Sequence, residues 1–247
     1  ENAVRSEKNY HMVTPTKIDI YTFKLDHERP FLKGQLGAGI KLAYVKTDND
    51  FNFYNIIEGK DEVDLDRTNF FTYTENVNAA YSTYSRQFGK WGMQLGLRAE
   101  QTNSEGDLTA LKPVNDQNVK RDYFNLFPSG GVTYSMNEKH SFQLNFSRRL
   151  DRPSYQDLNP FEYRLDELTF QKGNPFLRPQ YSNNVQFSHT FMQMMTTSLA
   201  FSHTSDLIQQ FVDVSDVNEK AAFQTFRNLA EQNNLSLNIG TPIPLTK

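Results

Sequence analysis

A chain of 247 residues with a formal net charge of −3, no cysteine and a mean hydropathy of −0.67 excludes several classes at once. Mixed charge of that size gives no electrostatic reason to expect nucleic acid as a partner. The absence of thiols removes disulfide frameworks and thiolate metal sites.

No run approaches the roughly 18 to 20 apolar residues of a transmembrane helix. The 12 Tyr and 20 Phe, in a chain only 37% hydrophobic, fit strands with a single apolar face. Such strands are compatible with a membrane, because a barrel strand turns only alternate residues towards lipid. The opening Glu1-Asn2-Ala3-Val4-Arg5 has neither the charged nor the apolar region of a signal peptide, so any export signal is expected upstream or already removed.

In chain order, a weak strand is expected over Thr16 to Leu25, followed by strict alternation from Gln35 to Tyr44, where Leu36, Ala38, Ile40, Leu42 and Tyr44 share one face. Asn69 to Arg86 reads as a further strand, and Met93, Leu95, Leu97 and Ala99 alternate with Gln94, Gly96, Arg98 and Glu100. Arg121 to Ser135 follows, then Phe142, Leu144 and Phe146 against Ser141, Gln143, Asn145 and Ser147. Val185, Phe187, His189 and Phe191 mark the next strand, and Leu199, Phe201 and His203 the one after it. Ala221 to Leu229 and the run carrying Leu235, Leu237 and Ile239 complete about ten.

The connections alternate in length. Short links are expected at Asp26 to Lys33, Gln87 to Lys90, Met136 to Lys139, Met192 to Met195 and Ala230 to Asn233; long polar ones at Thr47 to Thr68, Ser104 to Lys120, Leu150 to Gln180 and Val212 to Glu219. An up-and-down meander puts successive connections at opposite ends, so one end carries tight turns and the other long loops, the asymmetry of outer-membrane barrels. A β-sandwich with Greek-key crossings has no reason to keep that rhythm. The fold class expected is therefore all-β, an antiparallel meander forming part of a transmembrane barrel. The polar face, rich in Gly, Gln, Asn and Ser, suits a wet lumen. Tyr21, Phe23, Phe70, Phe71, Tyr73, Phe88, Trp91, Tyr123 and Phe124, near strand ends, are candidates for interfacial girdles.

Two motifs stand out. Ser147-Arg148-Arg149-Leu150-Asp151-Arg152-Pro153-Ser154-Tyr155-Gln156-Asp157-Leu158-Asn159-Pro160-Phe161 is followed by Gly173-Asn174-Pro175-Phe176-Leu177-Arg178-Pro179-Gln180-Tyr181-Ser182-Asn183-Asn184. Each proline restricts its predecessor to extended backbone and so stiffens the longest connection.

Together with Tyr84 to Trp91 and Gly96 to Thr102, these runs resemble the outer-membrane β-barrel family related to TonB-dependent receptors, over about Gly34 to Asn238. The resemblance implies an outer-membrane location in contact with lipid and an extracellular ligand such as a metal chelate, oligosaccharide or peptide. It also implies a TonB-type energy-coupling partner, reached through parts of the protein beyond this chain. Large transporters of this kind have about 22 strands around a plug, so residues 1–247 are expected to form one barrel segment of a longer protein, without plug or remaining strands.

Arg148, Arg149, Arg152 and Tyr155, at the base of the longest connection, are the ligand-contact candidates; the plainer reading of the arginines is a solvated loop base with local ion pairs. No catalytic set, nucleophile elbow, P-loop or dinucleotide fingerprint is present, so neither enzyme activity nor a cofactor is expected. His189 and His203 occupy apolar-phase positions on successive strands and are expected to pack across them rather than bind metal. Asp61, Glu62, Asp64 and Asp66 form an acidic loop without the EF-hand glycine and distal glutamate. Gly37 and Gly39, inside a strand, are expected to relieve a bend or a close neighbour. The competing reading is a soluble all-β binding or adhesion module whose apolar face packs a second sheet.

Overall fold

A computed structural model describes residues 8–111, 118–160, 168–214 and 222–242, with the backbone of 162–164. Glu1 to Arg5, Phe161, Ala221 and the tips of the connections Ser104 to Lys120 and Val212 to Glu219 lie outside the described residues. The strands are β1 (Asn9–Val13), β2 (Thr16–Phe31), β3 (Gly34–Ile57), β4 (Lys60–Val63), β5 (Asn69–Phe88), β6 (Trp91–Ala110) and β7 (Asn118–Ser135). They continue as β8 (His140–Asp151), β9 (Glu162–Arg164), β10 (Thr169–Lys172), β11 (Gln180–Phe191), β12 (Met195–Val214) and β13 (Ala222–Gly240), with one short helix, α1 (Tyr155–Leu158).

All the strands join one sheet. Its body is the antiparallel meander β2, β3, β5, β6, β7, β8, β11, β12, β13, each long strand paired with the next. The short β1 and β4 flank the upper part of β3, while β10 runs parallel to β13 and carries β9.

At the short-turn end, Leu32 and Lys33 both have positive φ (46° and 62°), as do Met192 and Gln193 (50° and 58°). Left-handed pairs of this kind match the right-handed twist of the strands they join. Asn137 Oδ1 accepts from the Lys139 and His140 amides, both at 2.9 Å, and so closes the turn between β7 and β8.

The strands run well past the expected boundaries. β3 has 24 residues, about 80 Å at roughly 3.3 Å per residue, whereas a spanning strand needs about 9–11. Much of Thr47 to Thr68 and Ser104 to Lys120 is thus strand rather than loop. The expected link at Ala230 to Asn233 does not exist: Ala230 pairs with Leu207, Gln232 with Thr204 and Asn233 with His203, so β13 is continuous. β10 pairs only with Ala222 to Gln224 of β13, and residues 229–235 are all exposed, which lets a polar run persist without a turn.

The two faces separate cleanly in the lower half. Outward rows cross the strands, among them Leu36, Tyr84, Leu95, Gly130, Phe146, Val185, Phe201 and Leu235 in register. No second sheet covers this face among the described residues: Leu95 is 50% and Leu97 52% exposed. That disposes of the sandwich reading, which needs the row packed inside.

Tyr21, Phe23, Phe88, Trp91 and Phe124 are exposed on the outer face, and Trp91 packs on Tyr134 with ring centroids 4.5 Å apart. Phe70 is exposed outward but far up β5, while Phe71, Tyr73 and Tyr123 turn inward because, in the upper half, apolar side chains pack within the sheet's concavity. On the inner face, Gly39 leaves room for Tyr81, whose hydroxyl donates to Asp26 at 2.5 Å; a Cβ at Gly39 would lie 2.7 Å from both side chains.

Candidate functional site

The connection between β8 and β11 folds into the upper concavity of the sheet. Its first turn is α1, where the Ser154 hydroxyl accepts from the Asp157 amide and the Asp157 carboxylate accepts from the Ser154 amide, a capping box. One consequence is to aim Leu158 at the wall. Leu158 (4% exposed) and Leu177 (0%) form a core with Phe71 of β5 and Leu108 of β6, and Tyr73, Ile208 and Phe226 pack against it. Those last two belong to β12 and β13, so the connection touches strands that have β7, β8 and β11 between them and crosses the concave face.

The second motif supplies the fasteners. The Asn174 amide donates to Asp157 O at 2.6 Å, and Asn174 Nδ2 donates to Phe226 O at 2.9 Å. The Arg178 amide donates to Asn228 Oδ1 and Asn228 Nδ2 returns a bond to Arg178 O, each at 2.8 Å. Arg178 also pairs with Asp206, which sits at φ 53° beside the bulge in β12. Arg121 of β7 donates to Pro175 O. Gly173 is required by close approach: a Cβ there would fall 2.1 Å from Asn159 O and 2.8 Å from Asp157 O.

The four candidate residues are not brought to one point. Arg148 and Arg149 are adjacent on β8 and therefore face opposite sides of the sheet; Arg148 lies over the Tyr181 ring, 5.2 Å from its centroid, and Arg149 is exposed on the inner face. Arg152 reaches back to the wall, donating to Glu100 Oε2 at 2.8 Å and Thr102 Oγ1 at 3.0 Å, with Glu75 at 3.4 Å. Burial pulls the Arg152 pKa down, but the Glu100 hydrogen bond, Tyr123 and Glu75 outweigh it and hold the group above its ordinary value. Tyr155, on α1, borders a cavity between the connection and β2, β3 and β5. Sequence reasoning missed Leu158, Leu177 and Asn228, the residues that hold the connection down; the Asn174-Pro175 and Arg178-Pro179 pairs were its visible trace.

Other candidates have local roles. His189 does not meet His203: its Nε2 lies 2.9 Å from His140 Nδ1, while His203 bonds Asn233 at 2.9 Å. The registers explain this, since β11 sets His189 beside Phe142 on β8 and opposite Thr197 on β12. Asp64 accepts from the Asp66 and Arg67 amides and Asn55, and Asp61 pairs with His11 of β1, so these two carboxylates brace their own hairpin and tie it to β1.

A tall antiparallel meander, apolar and uncovered outside, polar inside, with tight turns at one end and a folded connection at the other, defines a segment of an outer-membrane type of β-barrel. The sequence matches the Outer membrane protein beta-barrel family over residues 1–247, and the chain belongs to that family and to the outer membrane.

Among solved structures it is similar to the copper transporter OprC (TM-score 0.71, 11% identity), covering 95% of this chain and 38% of that one. It is also similar to the ferric yersiniabactin uptake receptor FyuA from Yersinia pestis (0.61, 10%; 93% of this chain and 33% of that one) and the ferric citrate transporter FecA (0.56, 11%; 94% and 33%). The chain thus spans 33–38% of the length of these structures, which are transporters and receptors rather than enzymes. A comparison with curated protein sequences returns no significant match.

Proposed function

We propose that this chain forms part of the barrel wall of a TonB-dependent-type receptor that captures an extracellular ligand at the long-connection end and passes it inward. The observation that supports the reading most is the connection between β8 and β11, whose described parts, residues 152–160 and 168–179, are fastened across the upper concavity and bordered by an open cavity. It leaves the lower inner face, lined by Gln94, Thr133, Gln143 and Asn145, as an open polar surface. In this reading Tyr155 and Arg149 face ligand, whereas Arg148 and Arg152 hold the base of the connection.

The energy source would be a TonB-type partner contacting the plug of the longer protein of which this chain is one segment. The test combines two measurements on that full-length protein: cross-linking to the periplasmic TonB domain, and growth on candidate chelates or oligosaccharides as sole source of iron or carbon. Growth lost on deleting either the receptor or TonB is expected. Uptake indifferent to TonB overturns the transport reading.

A further inference from the structure

The cavity beside Tyr155 has a composition of its own. It encloses about 360 Å³, within the roughly 300–1,000 Å³ of small-molecule sites. Of its ten lining residues five carry side-chain amides, Asn49, Asn69, Gln156, Asn159 and Gln171, and none is charged. Thr14 and Thr16 add hydroxyls, and Tyr155 and Phe51 add aromatic rings. Gly173 keeps the floor low, since its missing side chain lets the backbone fold onto Asn159.

One wall residue is left incomplete. Asn69 is 3% exposed; its Nδ2 donates to Arg67 O at 3.1 Å, but its Oδ1 has no hydrogen-bond partner. A buried acceptor without a donor is unfavourable, and this one is too enclosed to be reached from the cavity without movement of the wall.

We propose that this cavity binds an uncharged, polyhydroxylated ligand, the end of a neutral oligosaccharide. The inference rests on the receptor reading above and names the ligand class. A side-chain amide carries donors and an acceptor together, which matches a hydroxyl that is both; Asn49 and Gln156 each use one donor within the wall, on Thr16 and Tyr155, and aromatic faces suit the C–H surfaces of sugar rings. An anionic chelate calls for Arg or Lys at the wall. The guanidiniums of Arg121 and Arg152 instead bond Pro175 O and Glu100, and Arg149, exposed on β8, does not line this cavity. A peptide is expected to engage a charge for its terminus, and this wall carries none.

The test is saturation-transfer NMR and calorimetry on the full-length receptor in detergent, with maltohexaose, cellohexaose and xylohexaose as neutral probes, ferric citrate as the anionic probe and tetra-alanine as the peptide. At least one oligosaccharide is expected to bind. Gln156→Ala with Gln171→Glu, both at exposed positions, is expected to weaken that binding at least tenfold at unchanged Tm, and Gln143→Ala in the lower lumen to leave it unaltered. Absence of oligosaccharide binding, binding indifferent to the paired variants, or ferric citrate or tetra-alanine taking the site overturns the proposal. Oligosaccharide binding without TonB-dependent uptake leaves the site standing and removes the transport reading; TonB-dependent growth on a chelate without oligosaccharide binding does the reverse.

Discussion

The lower and upper halves of the same strands obey opposite rules. On β3, Ile40, Leu42 and Tyr44 point outward, whereas a few residues further Thr47 and Phe51 are buried inward. β5 turns Ala80, Tyr84 and Phe88 outward below and Phe71 and Tyr73 inward above, and β6 does the same with Leu95 and Leu97 against Leu108. The backbone is continuous through the change. What differs is the surroundings: lipid rewards apolar atoms on the outside of the sheet, while water leaves the concave side as the place to bury them. The switch, near Tyr44 on β3 and between Leu97 and Leu108 on β6, marks where the membrane ends.

This contrast is breakable by substitution. The largest effect is expected from Leu177→Ala, which empties a fully buried position in the upper core and destabilises docking of the connection by about 2–5 kcal/mol. Native-state hydrogen exchange at the Asn174 and Leu177 amides, both hydrogen-bonded when docked, reads that loss. Leu97→Arg in the lower half should cost about 2–4 kcal/mol if placed near the bilayer midplane, read as a lower urea midpoint for the full-length protein in lipid. Wild-type stability for that variant would mean that the outward row does not meet acyl chains.

A smaller effect is expected where the two halves join. Arg152→Ala removes the bonds to Glu100 and Thr102, worth about 1.5–3 kcal/mol for a charged hydrogen-bonded group, and faster proteolysis of the connection checks it. The smallest belongs to Asp50→Arg, the same introduced charge as at Leu97 but on the outer face above the switch; it should stay within about 0.5 kcal/mol. A penalty there equal to that at Leu97 would place the membrane boundary higher.

Much of the lower half was legible because a period of two with a single apolar phase needs only composition and spacing. The upper half was not, since there the apolar residues change phase: Lys46, Asp48 and Asp50 occupy the outward positions on β3, and a strand with a polar outer row and scattered inner aromatics reads as a loop. Turns were harder where Leu32-Lys33 and Met192-Gln193 carry positive φ without Gly or Asn. For the site, the prolines and Gly173 announced a stiff connection, but its partners Phe71, Leu108, Phe226 and Asn228 lie tens of residues away, beyond anything local spacing reports. Arg148 and Arg149 looked like one basic cluster in sequence, and strand geometry sends them to opposite sides.

The connection between β8 and β11, in its described residues 152–160 and 168–179, meets β5, β6 and β7 on one flank and β12 and β13 on the other. In mechanical terms it is a chord drawn across an arc of strands. A sheet free to splay has many radii, and a chord of fixed length selects one. The bend of this wall is therefore gauged by a segment that spans no membrane at all.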